Sequence, residues 1–241
     1  MPAFEAGRSL TGGEHVVLSG TAAAHHVADV LRARAGDRIT LFHAGELYDG
    51  LIERVARAEV SVFIEAARPS PFYQRPLTLL QAVIRPALLD DVIRLCSPLG
   101  VQRFVLFPAM RSQPWKISSR LERLEELAGS SAEQAETGEV PGVELTNGLG
   151  SALARVDSLG TLIALSPRAE RTLTGLAQQG SSLFNGSVGI AVGPEGGFTD
   201  SEAAMLTERG ALSARLATGI LRSELAGFAG ALLVREIQAA P

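Results

Sequence analysis

Lysine is nearly missing from this chain: Lys116 stands alone among 22 basic residues in a sequence of 241. No Gly-Lys-Ser/Thr triplet can form, which excludes the loop that cradles phosphates in P-loop nucleotide enzymes. No Gly-x-Gly-x-x-Gly follows a predicted strand either. Cysteine is as scarce. Cys96 is the only one, so no internal disulfide can close, as suits a reducing compartment. Its place in a helical pattern marks it as a small buried apolar residue and not a nucleophile. His15, His25, His26 and His43 all lie in the first 43 residues. The rest of the chain can therefore build neither a histidine triad nor a histidine-rich metal site. No apolar run is long enough to span a membrane. The opening MPAFEAGRSL lacks the basic start and apolar core of a secretory signal. The expectation is a cytoplasmic protein with no membrane partner and no metal.

Apolar residues make up 46% of the chain, ample for a sizeable core. The net charge of −4 argues against a protein that coats nucleic acid, but the charge is uneven. Residues 76–116 carry five basic groups against Asp90 and Asp91, whereas 117–160 carry three basic against eight acidic. A locally basic face remains compatible with RNA.

Residues 1–72 read as short strands around one helix. The helix is expected over 22–34 with Val27, Val30 and Leu31 on its apolar face. Strands at 38–42, 46–55 and 60–65 suggest a small β-barrel. Arg68-Pro69-Ser70-Pro71 reads as a linker. The domains are accordingly 1–72 and 73–241. The pattern then changes. Residues 77–84 form a continuous apolar run, as in a strand buried on both faces. Helices are expected at 87–96, 118–136, 200–209 and 221–237. Strands are expected at 104–107, 161–165, 188–192 and 212–216. Alternation of this kind is an α/β fold with a parallel sheet between two helix layers. No repeat or low-complexity tract is present.

Two segments carry the chemistry. Gly193-Pro194-Glu195-Gly196-Gly197 follows an apolar strand and runs into a helix whose Thr199-x-x-Glu202 reads as a capping box. Such a turn lets bare backbone amides approach a ligand. Leu216-Ala217-Thr218-Gly219-Ile220-Leu221-Arg222-Ser223-Glu224 is a second strand–loop–helix unit, with an arginine and a carboxylate at the helix start. Ligand loops at neighbouring strand ends are how an open α/β sheet builds a site.

These segments, with His25-His26-Val27-x-x-Val30-Leu31-Arg32 through Leu41-Phe42, Leu99-Gly100-Val101, Glu133-Gln134, Val140-Pro141 and Pro167-Arg168, resemble the RsmE-type methyltransferases of the SPOUT superfamily over nearly the whole chain. That resemblance implies methylation of N3 of a uridine in 16S ribosomal RNA by S-adenosylmethionine. It implies a PUA-like RNA-binding barrel before a SPOUT domain with a C-terminal trefoil knot, and a homodimer with residues of both subunits around each site. The donor would lie against Leu165, Ser166, Pro167, Gly193, Pro194, Glu195, Gly196, Gly197, Leu216, Ala217, Ile220 and Leu221. Arg111 aligns with a family arginine and becomes, with Arg32, Arg34 and Arg38, a candidate RNA contact. Departures from the pattern are Leu95 and Pro98 for Lys and Glu, Glu136 and Thr137 for Gly-Arg, Ala217-Thr218-Gly219 for Gly-Pro-Arg, and Leu225 for the second Thr of Thr-Glu-Thr.

The residues themselves suit that chemistry. The N3 proton of uridine is weakly acidic, so an arginine that stabilises charge on the ring carbonyls helps it leave, and a carboxylate can orient the arginine or take the proton. Arg222 and Glu224 are the candidates for these roles. The base must be unpaired or flipped out to be reached. A surface ion pair is the plainer reading of the same two residues. Trp115 and Phe72 could stack on bases, but core or interface packing is the expectation. A related enzyme acting on another RNA, or a non-catalytic RNA-binding or ribosome-assembly protein on the same fold, are the alternatives.

Overall fold

The computed structural model describes residues 3–19, 22–56 and 59–240; the outermost ends of the two expected domains, residues 1 and 241, lie outside them. Two compact units are present, one of residues 1–73 with 132–140 and one of 74–131 with 141–241.

The first unit contains β1 (Ala3–Glu5), β2 (His15–Ser19), α1 (Ala22–His25), β3 (Arg38–His43), β4 (Glu46–Ala56) and β5 (Glu59–Pro69). Its five-stranded sheet has the order β1-β3-β4-β5-β2. Alternate residues of every strand, among them Phe4, Leu18, Leu41, Ile52 and Val62, share one apolar cluster, so the sheet curls around its own inner face. The helix expected over 22–34 is shorter. After His25 the chain makes a π-helical turn over His26–Val30, with Leu31 N–H donating to His26 C=O. The wider turn shifts the helical phase. Val27 stays buried while Val30 is 59% exposed, and Arg32 at φ 52° ends the turn. The expected linker also changes. Arg68 and Pro69 complete β5, paired with Leu47 and Glu46. Pro69 is tolerated there because it is the last strand residue. Ser70, also expected in the linker, is buried, and its hydroxyl donates to Thr137 C=O at 2.6 Å. Glu136, where the family pattern has glycine, sits at φ 53°, a conformation that glycine adopts at less cost.

The second unit contains β6 (Leu77–Ala82), α2 (Pro86–Cys96), β7 (Val101–Phe107), α3 (Leu121–Ala135), β8 (Gly142–Leu145), α4 (Leu149–Ala154), β9 (Thr161–Leu165), α5 (Leu173–Gln179), β10 (Val188–Val192), α6 (Asp200–Glu208), β11 (Leu212–Ala214) and α7 (Ser223–Ala239). The last residues of α3 belong to the first unit. The six strands are all parallel, in the order β11-β9-β10-β6-β7-β8. Every residue of β6 and β10 is buried, as the apolar runs predict. Leu79, Phe104 and Ile190 face one helix layer, and Leu80, Val105 and Ala191 face the other. In α2, the buried Leu89, Val92, Ile93 and Cys96 follow the i, i+3, i+4, i+7 spacing of a core-facing helix. Strand β11 is shorter than expected, and α7 begins at Ser223, which leaves Leu221 and Arg222 in the preceding loop.

Helix α7 lies close to the sheet because of small residues. A Cβ on Gly230 would come within 2.7 Å of Leu165 Cδ1. Its far end is tied by Arg235, which is buried and donates to the carbonyls of Arg75, Leu99 and Gly100. Burial pulls that guanidinium down to about 10. Among the described residues, no helix is long and apolar enough to cross a membrane.

Cys96 is fully buried, and burial pushes its thiol up to about 12. A thiolate-selective reagent at pH 8 is expected to leave the folded protein unmodified and to react once when urea unfolds it. Rapid labelling of the folded protein would contradict the burial described.

Candidate functional site

Every strand of the second unit ends at the same edge of the sheet, because all six are parallel. Strands β11, β9 and β10 are consecutive neighbours, so the two segments singled out in the sequence, 193–197 and 216–221, and the loop 165–168 that the resemblance adds emerge side by side. Leu165 is the buried last residue of β9. Ser166 N–H donates to Ala214 C=O at 2.8 Å, on the inner side of β11. The chain then passes Pro167 and Arg168, both exposed, and reaches the outer side of β11. There Arg215 N–H donates to Arg171 C=O and Leu173 N–H to Arg215 C=O, each at 2.9 Å. The first loop thus flanks the end of β11 on both sides. Leu216 and Leu221 are half-buried, and Ala217, Thr218 and Gly219 are exposed. Ile220 is 87% exposed, an unusual position for so apolar a side chain in a loop of this kind.

The glycine turn is fixed by geometry. Gly193 and Pro194 are buried and Glu195 and Gly196 exposed. A Cβ on Gly193 would lie 3.1 Å from Phe198 N. Gly197 has φ +68°, which glycine adopts at no steric cost. The capping box is present: Glu202 N–H donates to Thr199 Oγ1 at 3.3 Å, and Thr199 N–H to Glu202 Oε2 at 2.8 Å. Glu202 is buried, and its Oε1 also accepts from Met110 N–H at 2.8 Å. One carboxylate therefore caps α6 and pins the loop after β7. Arg111, on that loop, donates to the carbonyls of Gly196 at 2.9 Å and Phe198 at 3.2 Å. The rings of Phe107 and Phe198 stack nearby, 6.4 Å apart.

Arg222 and Glu224 flank the first residue of α7. Arg222 Nε lies 3.1 Å from Glu224 Oε1, with the arginine side chain 71% exposed and the carboxylate 4% exposed. The distance is that of an ion pair, but the direction is not that of a hydrogen bond, and no group donates to either Glu224 oxygen among the described residues. A buried carboxylate without donors is costly, and an unsatisfied buried group in a native fold calls for an explanation such as a catalytic role. An exposed arginine beside a sequestered carboxylate can meet a substrate on one side and fix its own orientation on the other.

The other candidates fall elsewhere. Arg32, Arg34 and Arg38 belong to the first unit and are exposed; Arg38 lies 3.4 Å from Glu65. Exposed His25 pairs with Asp29, and His26 packs its ring on Phe4. Trp115, expected in core or interface packing, is 43% exposed, so the core of this chain does not hold it. Gln81 was not among the candidates. It is fully buried at the end of β6, and its amide reaches Ser223 Oγ. The signal was in the sequence, as the one amide in the apolar run 77–84.

Among the described residues, no group of three or more metal-ligating side chains is gathered. Replacing Thr199 with alanine removes one half of the capping box and is expected to cost about 1 kcal/mol, read as a lower urea midpoint at unchanged slope. An unchanged midpoint would mean that the box does not hold the turn.

Comparison with known proteins bears on the same residues. The RNA methyltransferase domain family matches residues 71–234, and the RNA methyltransferase PUA domain matches 18–65. The chain is 28% identical to a ribosomal RNA small subunit methyltransferase E of Rickettsia conorii, over 88% of this chain and 85% of that protein. It is 26% identical to the protein of the same name from Mycobacterium bovis, over 83% and 79%. The crystal structure of a ribosomal RNA small subunit methyltransferase E from Neisseria gonorrhoeae, bound to S-adenosyl methionine, superposes with a TM-score of 0.82 at 26% identity, covering 98% of both chains. The matched regions include the glycine turn, the loop before α7 and the helix that carries Glu224, and the chain belongs to the RNA methyltransferase domain family, preceded by that family's PUA domain.

Proposed function

We propose that this protein transfers a methyl group from S-adenosylmethionine to N3 of a uridine in 16S ribosomal RNA of the small subunit. The observation that carries the reading is the convergence of 165–168, 193–197 and 216–221 at one sheet edge, beside a buried carboxylate that no group donates to among the described residues. The relatives named as small-subunit ribosomal RNA methyltransferases support the substrate. The open space around Gly197 and the loops after β9 and β11, on the β9 side of the turn, support donor binding there.

In this reading Leu165, Ser166, Pro167, Gly193, Pro194, Glu195, Gly196, Gly197, Leu216, Ala217, Ile220 and Leu221 hold the donor. The donor, when bound, supplies an electrophilic methyl group. Arg222 steadies negative charge on the uracil carbonyls as N3 loses its proton. Glu224 orients Arg222 and accepts that proton. Alignment of the base against the donor loops supplies much of the rate. Residues 1–72 bind RNA through Arg32, Arg34 and Arg38, residues 73–241 perform the transfer, and Arg111 both steadies the glycine turn and meets RNA phosphate. Passage of 165–172 around both sides of β11 supports a knotted chain. The exposed Ile220 supports a homodimer, and the lone cysteine supports a cytoplasmic setting.

Calorimetric titration with S-adenosylmethionine is expected to show saturable binding that Gly196→Arg abolishes, because even a Cβ there comes within 3.2 Å of Arg111 Cδ. Mass mapping of 16S ribosomal RNA after incubation is expected to find one N3-methyluridine. A folded protein that binds no donor sinks the reading. Methyl transfer to a different RNA keeps the enzyme and replaces the substrate, an outcome that the departures at Leu95, Pro98, Glu136 and Thr137 would then explain.

A further inference from the structure

Gln81 lies at the carboxyl end of β6, opposite Val192 of β10, so it sits directly beneath the glycine turn. Its side chain is fully buried. Its Nε2 donates to Ala82 C=O at 3.0 Å and to Ser223 Oγ at 2.9 Å. Ser223 Oγ in turn donates to Gly193 C=O at 2.6 Å. The directions are forced. Carbonyl oxygens only accept, so Ala82 fixes which end of the amide carries nitrogen, and Gly193 fixes where the serine proton points. Gly227, one turn along α7, admits the amide: a Cβ there would be 3.1 Å from Gln81 Oε1.

The first residue of the glycine turn and the first residue of the helix bearing Glu224 thus hang from one side chain. Ser223 stands between Arg222 and Glu224 in the chain, so a shift of its hydroxyl moves both. Gln81 and Ser223 have no titratable group, and no proton can be gained or lost along this path near neutral pH. The relay can only position.

We propose that Gln81 and Ser223 are positioning residues for methyl transfer, setting the glycine turn and the Arg222–Glu224 pair in register with each other. This rests on the methyltransferase reading above. Loss of either link leaves the turn and α7 each anchored by other contacts, Glu202 and Arg111 for the turn and Arg235 for the helix. The fold is therefore expected to survive while alignment is lost.

The test is steady-state methylation of 16S ribosomal RNA by full-length wild type, Ser223→Ala, Ser223→Thr, Gln81→Met and the double variant Gln81→Met/Ser223→Ala, alongside urea unfolding. Ser223→Ala and Gln81→Met are each expected to lower kcat/KM for the donor about tenfold, the effect of roughly one hydrogen bond. The double variant is expected to fall no further than the worse single one, because both cut one path. Ser223→Thr keeps the hydroxyl and is expected to stay within about twofold of wild type. Gly227→Ala leaves both residues in place but crowds the amide. It is expected to retain stability and still lose activity, which keeps the proposal testable if Gln81→Met unfolds. Wild-type kinetics in Ser223→Ala and Gly227→Ala, or losses that simply add in the double variant, overturn the proposal alone. A wild type that neither binds donor nor methylates RNA overturns the enzymatic reading and the proposal with it.

Discussion

Burial of β6 and β10 on both faces is the constraint on which the site depends. Strands covered by helices on both faces are characteristic of parallel sheets, whose neighbouring strands are reached by crossovers. Each crossover returns the chain to the opposite edge of the sheet, so all ligand loops are delivered to one edge. The order β11-β9-β10-β6 then sets the loops 216–221, 165–168 and 193–197 next to one another and puts Gln81 beneath them. The sheet is a rigid rail, and the chemistry is carried on its end, as in other open α/β folds.

The glycine turn would be a weak device without its supports. Left-handed backbone at Gly197 and close approach at Gly193 permit the shape but do not select it. Selection comes from Glu202, which caps α6 and accepts from Met110, and from Arg111, which holds the carbonyls of Gly196 and of Phe198 just after the turn. Ser223 holds the third from below. Arg111 shows how one residue can serve two readings. It lies exposed while its guanidinium binds the glycine turn, so in the proposed reading RNA binding and donor binding meet at the same side chain.

Long apolar runs and local capping chemistry were legible in the sequence. Strands 161–165 and 188–192 appear with the bounds expected, because a doubly buried strand leaves a continuous apolar signature between polar breaks. The Thr199–Glu202 box was legible because it is a local pairing three residues apart. Strand β8 and helices α4 and α5 were not read. They span four, six and seven residues, too short for either period to establish itself. Val30 was misplaced because the π turn at His26–Val30 depends on where Phe4 and the curled sheet pack, which no local pattern records. Gln81 and Ser223 escaped notice for a related reason. Each looks like an ordinary polar residue until a pair 142 positions apart is brought together by the order of the sheet. The family resemblance marked the loops, whereas the relay below them follows from the three-dimensional arrangement.

A crystal structure of the full chain with S-adenosylhomocysteine would test the central claim most directly. The account predicts ligand density enclosed by residues 165–167, 193–197 and 216–221, with Gly193 C=O still bound to Ser223 Oγ. Density confined to another part of the surface, such as the hollow lined by Arg38, Thr40 and Glu65, would contradict it.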